Sequence, residues 1–416
     1  MNVPVKIYNL VKSNFYLIIF GLSYVSLFFS FYIDEDGTGR GASGDFKTTY
    51  GFILALKNDL LANPEDFTLV HTPLHFIIMS LFEGVFNDAK KLRLFYCTLT
   101  ILLPIFFYQT LKKKESIANK KNFLLLSSII LILPSFRYAS IWATDLITSL
   151  IFFQISILFF WKWNEKKSKI INKNLFFQII FLALATYCRQ YFAVFFIYFL
   201  FIYFQNLNKR SFINLFIICT ATSLPVLYYT YLFPSLFTEQ HVSFNSIKYF
   251  LLGNSSMMSV YLMPFFFINI IYKKIKCDKN ILISILSSFV IVFILTLLFK
   301  PVPFWLGGGV IHKLSNELFG NNLLFFTSSF FTFLIFIYLI LENKINLILV
   351  IILLFMFFSF QTYQRYYEPM LFLILFSLIQ TKMVNIFYEK NIACIILFIY
   401  FMVFYFGSIA DIIYKI

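Results

Sequence analysis

The chain has 416 residues, of which 60% are hydrophobic and 13% are charged, and its formal net charge is +15. Soluble domains are about 45–50% apolar and about 25% charged, so the composition excludes a soluble globular protein. Apolar runs recur along the whole chain at about the 20-residue length that crosses a bilayer. The sequence therefore predicts an all-α protein, a polytopic bundle of transmembrane helices.

Taken in order, the apolar runs predict about thirteen spans in one multi-pass domain over residues 1–416. They lie at 14–33, 93–110, 122–136, 143–161, 175–188, 191–205, 211–233, 256–272, 280–299, 323–341, 345–360, 369–381 and 391–410. The connecting loops alternate in charge, and the set that includes the N-terminus carries 21 Lys and Arg against 5 acids. This asymmetry predicts a cytoplasmic N-terminus, and it explains the basic excess without a nucleic-acid partner.

The first loop predicted to face outward, residues 34–92, is the longest and holds nine acids. It begins with Asp34, Glu35 and Asp36 ahead of Gly37, which resembles the first half of a calcium loop, but no later acid completes the cage. A hydrated acidic turn is the preferred interpretation, and no cofactor is expected. A divalent cation that bridges a phosphate and a carboxylate is the alternative.

The rest of this loop predicts two interfacial helices. Residues 45–62 place apolar side chains and Tyr50 on one face, with Asp45 at the start as either a helix cap or a chemical group. After a break at Asn63 and Pro64, a second helix covers residues 71–86. His71, at its start, either caps this helix or binds substrate.

Three charged residues lie at the predicted outer ends of spans, namely Asp145, Arg189 and Arg365. A charge inside a span costs about 2.5–3.5 kcal/mol and points to function, although snorkelling to the interface is the alternative for both arginines. All four histidines fall on the same predicted side: His71, His75, His241 and His312. Any active site is therefore expected at the outer face.

Several motifs, in chain order, resemble the GT-C class of membrane glycosyltransferases. They are GDFKTTY (44–50), HTPLHFIIMSLF (71–82), KKLRLFYCTLT (90–100), WATDLITSL (142–150), CRQYFAVF (188–195) and QRYYEPMLFLIL (364–375). Within this class, KLRLF, ATDLITS, CRQ, GGGVIHKLSN and QRYYEP look most like the eukaryotic alpha-1,2-glucosyltransferases that use dolichyl-phosphate glucose. The early acidic dyad of those enzymes is Asp45 and Phe46 here, and the triplet of acids at 34–36 is additional.

The resemblance implies transfer of a sugar from a polyprenyl-phosphate donor to a glycan, lipid or protein acceptor at the outer face of the membrane. Asp45 would act as the general base on the acceptor hydroxyl, with Asp34, Glu35 and Asp36 as rival carboxylates. Arg365, joined by Arg189 and His312, would hold the leaving phosphate, because arginine offers two parallel donors. The remaining expected substrate-binding residues are His71, Asp145 and Tyr50. Three glycines at 307–309 would allow close approach to a phosphate, or form a flexible loop. A bacterial inner membrane is the expected location.

Two other classes of membrane protein fit the composition. A transporter or flippase for lipid-linked saccharide would show inverted repeats with broken spans in matching halves, and the sequence has no such symmetry. An O-antigen-type polymerase or ligase carries its large outer loop late in the chain, whereas here that loop comes first. The glycosyltransferase is therefore the preferred hypothesis.

Overall fold

The computed structural model describes residues 3–36, 41–59, 71–115, 119–166, 168–232, 244–275, 278–297, 299, 309–357 and 363–413, and every regular element in these ranges is a helix. The first nine helices are α1 Val3–Tyr32, α2 Gly41–Asn58, α3 Leu74–Phe86, α4 Ala89–Leu99, α5 Leu102–Lys114, α6 Lys120–Ile132, α7 Pro134–Ile141, α8 Asp145–Asn164 and α9 Lys173–Cys188. The others are α10 Phe195–Asn206, α11 Lys209–Leu232, α12 Phe244–Ile271, α13 Lys279–Leu297, α14 Gly309–Phe319, α15 Leu323–Glu342, α16 Asn346–Phe355, α17 Met370–Ser377, α18 Asn385–Glu389 and α19 Asn391–Ile413. Short 3₁₀ helices cover Gln190–Val194, Gln364–Tyr366 and Lys382–Val384.

In the described ranges, eight helical segments are long and apolar enough to cross a membrane, or up to ten if two sharply bent pairs each count as one span. The bent pairs are α6 with α7, at 62°, and the segment Gln364–Ser377 with Lys382–Glu389, at 98°. Three further predicted spans coincide with helices that are shorter, namely α9, α10 and α16. The fold is thus that of a multi-pass helical membrane protein, whereas the predicted count of thirteen spans is not confirmed.

Two compact units make up the chain. The first comprises Met1–Ala193, Tyr203–Leu236 and Phe387–Ile416, and the second comprises Val194–Ile202 and Phe237–Ile386. In the first unit α8 packs along α9 and α5, and α6 packs against α1 and α19. In the second unit α15 packs against α12 and α13, and α14 packs against α12 and α15.

Polar side chains inside the first unit fix the register of its central helices. Gln178 on α9 donates to Ser156 on α8 at 3.1 Å, and Gln154 on α8 donates to Thr110 on α5 at 2.7 Å. Because such buried groups need hydrogen bonds, they favour one axial register between neighbouring helices over the others. In this register the first residue of α8, Asp145, lies beside Arg189, which directly follows α9.

The two helices predicted in the first loop are present and pack against each other. The first begins earlier than predicted, at Gly41, and the second begins at Leu74 after Pro73. One face of α3 is buried, while Leu81 and Val85 on the other are 63% and 73% exposed.

Several positions named in the predictions from sequence lie outside the described residues: Gly37, Asn63, Pro64, His241, Gly307 and Gly308.

Candidate functional site

Charged residues of the first unit gather at one end of its helices. Three pairs of opposite charge meet there, Arg93 with Asp34, Arg137 with Glu35, and Arg189 with Asp145. Asp34 and Glu35 follow α1, Arg189 follows α9 and Asp145 begins α8, while Arg93 and Arg137 lie on α4 and α7. This end of the unit is the candidate functional site.

Glu35 and Arg137 form a buried pair that joins α1 to α7 and α19. Arg137 donates from Nε to Oε1 and from Nη2 to Oε2 of Glu35, both at 3.3 Å, and the hydroxyl of Tyr405 donates to Oε2 at 3.1 Å. Further groups on α1 and α6 accept from Arg137, namely the Ser26 and Ser30 hydroxyls and the Ser26 and Leu131 carbonyls. Glu35 is only 3% exposed, so the prediction of a hydrated acidic turn is wrong for this residue.

Asp34 and Arg93 form a second pair, which reaches the surface. Arg93 donates from Nη2 to Oδ1 of Asp34 at 2.8 Å and from Nε to the Ile141 carbonyl at 2.9 Å. Its guanidinium carbon lies 3.7 Å from the ring centre of Trp142. The Asp34 side chain is 59% exposed and that of Arg93 is 9% exposed, so the arginine is covered by aromatic rings while its carboxylate partner faces outward.

Asp145 and Arg189 form the third pair, which is buried but leaves two of its polar atoms without hydrogen-bond partners among the described residues. Arg189 donates from Nη2 to Oδ1 of Asp145 at 2.6 Å and from Nη1 to the Tyr191 hydroxyl at 3.3 Å. Oδ2 of Asp145 and Nε of Arg189 have no hydrogen-bond partner among the described residues. Buried polar atoms in this state mark a place where a polar ligand or water would be favourable.

His71 lies at the same place. Its electrostatic interaction with Asp145 is favourable, and the adjacent Thr72 hydroxyl donates to the Thr186 carbonyl at 2.8 Å, which fixes the start of this segment against α9. The structure therefore brings together three of the predicted substrate-binding residues, His71, Asp145 and Arg189. Their roles toward a substrate remain predictions.

His75 holds the backbone that leads into Asp145. Its Nε2 lies 3.0 Å from the Ala143 carbonyl, which can only accept, so Nε2 carries the proton and Nδ1 accepts from the Thr148 hydroxyl at 2.8 Å. Ala143 has a φ of +50°, a left-handed conformation that non-glycine residues rarely adopt. Burial is the main cause that lowers the pKa of His75 to about 4, with a smaller contribution from Arg189 and an opposing one from Asp145. The ring is thus neutral near pH 7 and serves to position this turn.

Asp45 lies on α2 beyond its first turn, because the helix begins at Gly41. Asp36 caps this helix with its side chain, because its Oδ2 accepts from the Ser43 amide at 3.1 Å. The interpretation of Asp45 as the helix cap is therefore wrong. Its side chain is exposed, and the ring of the next residue, Phe46, lies 5.5 Å from the Arg93 guanidinium carbon.

Tyr50 connects α2 to α3. Its hydroxyl donates to Oε1 of Glu83 at 3.0 Å, and Glu83 is 1% exposed. Burial, together with this bond to a carboxylate, raises the pKa of Tyr50 to about 12. The observed contact is a structural one, and substrate binding by Tyr50 stays a prediction.

In the second unit, Arg365 lies on the short 3₁₀ helix Gln364–Tyr366. Its guanidinium carbon is 5.2 Å from the Tyr363 ring centre and 5.8 Å from that of Tyr366. The neighbouring Gln364 donates to the Met257 carbonyl and to the Tyr261 hydroxyl, both at 2.9 Å. These bonds anchor the Arg365 segment on α12, as does the bond from the Tyr261 hydroxyl to Glu368 at 2.7 Å.

His312 is buried on α14, with its ring centre 4.7 Å from that of Phe325. The helix begins at Gly309, which has a φ of +78°. A Cβ atom there would lie 2.4 Å from Cγ of Met257 and 2.6 Å from Oε1 of Gln364, so only glycine fits. Gly309 therefore has a packing role, and it seats the start of α14 against the segment that carries Arg365.

The predicted site residues divide between the two units. Asp34, Glu35, Asp36, Asp45, Tyr50, His71, Asp145 and Arg189 belong to the first, and His312 and Arg365 belong to the second. Among the described residues, no group of three or more His, Cys, Asp or Glu is placed to hold a metal ion.

Three residues of this end were not predicted as part of a site: Arg93, Arg137 and His75. The signal for the arginines was that each has large apolar or aromatic neighbours, in LRLF (92–95) and in SFRYAS (135–140). Their carboxylate partners are 59 and 102 residues away in the chain, so spacing alone does not pair them.

Comparisons of this protein with protein-family models, curated proteins and solved structures gave no match.

Proposed function

We propose that this protein is a membrane glycosyltransferase that moves a sugar from a polyprenyl-phosphate-linked donor to a glycan, lipid or protein acceptor. One observation carries the proposal: an exposed carboxylate, Asp45, directly precedes Phe46, whose ring lies 5.5 Å from the Arg93 guanidinium carbon. The same unit holds the pair of Asp145 and Arg189, in which two buried polar atoms have no hydrogen-bond partner among the described residues. Such a transfer requires a base for the acceptor hydroxyl and cationic donors for the leaving phosphate. This end of the unit carries both kinds of group.

Asp45 is the proposed general base. It is exposed and lies on a helix, which can hold a carboxylate within hydrogen-bond reach of an acceptor hydroxyl. The three neighbouring acids make structural contacts, since Asp34 accepts from Arg93, Glu35 accepts from Arg137, and Asp36 caps α2.

Arg365 is proposed to take part in binding the donor phosphate. Its side chain lies against two tyrosine rings, an arrangement that orients the planar guanidinium, and guanidinium binds phosphate through two parallel N–H groups. Arg189, His312, His71, Asp145 and Tyr50 are proposed as further substrate-binding residues.

We also propose that the N-terminus is cytoplasmic, that loop 34–92 and residues 300–322 face outward, that the chain crosses the membrane thirteen times, and that the membrane is a bacterial inner membrane. The charge difference between the two sets of loops supports this orientation. Labelling of single-cysteine variants in sealed cells tests it. A cysteine at residue 118 that reacts with an impermeant reagent from outside would overturn it.

The direct test is an assay of the purified full-length protein with polyprenyl-phosphate-linked sugars. We expect the free polyprenyl phosphate to be released, and the sugar to be transferred, when an acceptor is present. A flippase for lipid-linked saccharide would move the donor across a vesicle membrane and release no lipid phosphate. A polymerase of the O-antigen type would extend a glycan without using a monosaccharide monophosphate donor.

A further inference from the structure

Three arginines of the first unit differ in which of their guanidinium nitrogens donate hydrogen bonds to described residues. Arg137 is 0% exposed, and all three of its nitrogens donate to described side-chain or backbone oxygens. Arg189 is buried and donates from Nη2 to Asp145 and from Nη1 to Tyr191, while its buried Nε has no partner among the described residues. Arg93 donates from Nε and Nη2, and its Nη1 makes no hydrogen bond to any of the described residues.

Arg93 is held in place by its surroundings. Its guanidinium carbon lies 3.7 Å from the Trp142 ring centre, 5.1 Å from that of Phe31 and 5.5 Å from that of Phe46. The bond from Nε to the Ile141 carbonyl at the end of α7 fixes the rotation of the group. A cation that is desolvated by rings and held in one orientation interacts strongly with an anion.

Among the described residues, the one acid bonded to Arg93 is Asp34, and that side chain is 59% exposed. Because the Asp34 carboxylate faces solvent, it can be rehydrated when an incoming anion shares or replaces it on Arg93. Asp45 lies one residue from Phe46, so the same edge of the unit also carries the proposed general base.

We propose that Arg93 binds the phosphate of the polyprenyl-phosphate donor, with Nη1 and the outer N–H of Nη2 directed at two phosphate oxygens. The chemistry is that of a phosphate monoester or diester, and the proposal commits to the polyprenyl phosphate as its source. It rests on the proposed function for the identity of this lipid. Asp34 is the group that occupies the guanidinium when no phosphate is bound.

The test is equilibrium binding of radiolabelled polyprenyl phosphate to the purified full-length protein in detergent. The substitution Arg93→Lys keeps the positive charge but removes the two parallel N–H donors of the guanidinium, so we expect the affinity for the labelled lipid to fall about tenfold to a hundredfold. Asp34→Asn removes a competing carboxylate, so we expect affinity to rise by about twofold to fivefold. Arg210→Gln, at an exposed arginine at the start of α11, is the matched control and should bind as the wild type does.

Competition distinguishes the sources of phosphate. Inorganic phosphate should compete weakly with the labelled lipid, and phosphatidylglycerol should not compete. If phosphatidylglycerol competes as well as unlabelled polyprenyl phosphate, the site is a general phospholipid site and the assignment is wrong.

Two results separate this inference from the proposed function. If Arg93→Lys and Arg93→Gln both elute as folded protein and bind the labelled lipid as tightly as the wild type, Arg93 does not bind the phosphate, whatever the transferase assay shows. If Arg93 variants lose binding but the wild type transfers no sugar from any donor, the phosphate site stands and the glycosyltransferase proposal fails.

Discussion

Glu35 and Asp45 are carboxylates of the same loop, and their environments are opposite. Glu35 is 3% exposed, and its two oxygens accept from Arg137 and Tyr405. Asp45 is exposed on α2, in an element that packs against α3. The first carboxylate joins three helices, and the second is exposed on a helix whose next residue, Phe46, packs over the buried Arg93.

At this end of the first unit, the buried carboxylate is suited to stabilise the fold and the exposed one is suited to take part in a reaction. A buried ion pair that is completely hydrogen-bonded has no remaining acceptor for a substrate, and removing one partner leaves an uncompensated buried charge. An exposed carboxylate contributes little to folding and can reach a proton on a substrate. Substitutions at these two positions should therefore affect different measurements.

The largest effect is expected at Asp45. Asp45→Asn keeps the shape of the side chain and removes the base, and loss of a positioned base lowers the rate by a factor of about 10²–10⁴. We expect turnover to fall at least about a hundredfold in the lipid-phosphate release assay, with unchanged thermal stability and unchanged donor binding. Asp34→Asn and Asp36→Asn should cost much less turnover. Near-normal turnover of Asp45→Asn together with inactive Asp34→Asn or Asp36→Asn would move the base to the acidic triplet.

The next effect is expected at Glu35 and concerns stability. Glu35→Ala leaves Arg137 buried without its carboxylate, and breaking a buried pair in this way costs about 3–5 kcal/mol. We expect a large drop in the thermal unfolding midpoint in detergent, measured by loss of helical circular dichroism. Glu35→Gln retains hydrogen bonding and should be less destabilised than Glu35→Ala. A Glu35→Ala protein as stable as the wild type would show that the pair does not support the fold.

The sequence predicted the helical class, and each predicted span overlaps a described helix, because a run of apolar residues determines where a helix can lie in lipid. It did not predict which of those helices are short or bent, since α6 and α7 are divided at Pro134 and differ by 62°. It also grouped the acids of the first loop as one exposed set. Burial of Glu35 depends on Arg137, and that partner is 102 residues away, so local sequence does not reveal it.

The same limit applies to the candidate site. Asp145, Arg189 and His71 were predicted individually from charges and motifs, and the structure brings them together in the first unit. His75 was identified from the sequence only as one of the four histidines on the predicted outer side. Its role follows from two hydrogen bonds across the turn at Ala143, a long-range contact that depends on how α3 packs against the start of α8.

A third effect is expected from pH at His75, which lies on α3, a helix too short to be a candidate span. Its pKa is lowered to about 4 in the folded protein by burial, against about 6.5 in the unfolded chain. The stabilisation is therefore complete above about pH 6.5 and declines as pH falls toward 4, because only the unfolded state takes up the proton over that interval. The loss reaches about 3 kcal/mol at most.

The unfolding midpoint of the wild type and of His75→Gln should be compared between about pH 4 and 8. Other acids titrate in both proteins, so the difference between the two curves isolates His75. We expect the wild type to lose its advantage as the pH falls. Parallel curves would show that His75 is not held neutral by its surroundings.

The smallest effect is expected at Arg365, which tests whether the second unit shares in donor binding. Arg365→Lys keeps the positive charge but loses both the two parallel donors and the contact of the planar group with Tyr363 and Tyr366. We expect the KM for the donor to rise about tenfold, because the substitution removes about one charge-assisted hydrogen bond. The KM for the acceptor should not change. Arg210→Lys, at an exposed position of the first unit, is the control for a loss of arginine as such. If Arg365→Ala retains both donor affinity and turnover, Arg365 is only an anchor at the membrane interface. Phosphate binding would then belong to arginines of the first unit, the same unit that holds the proposed base.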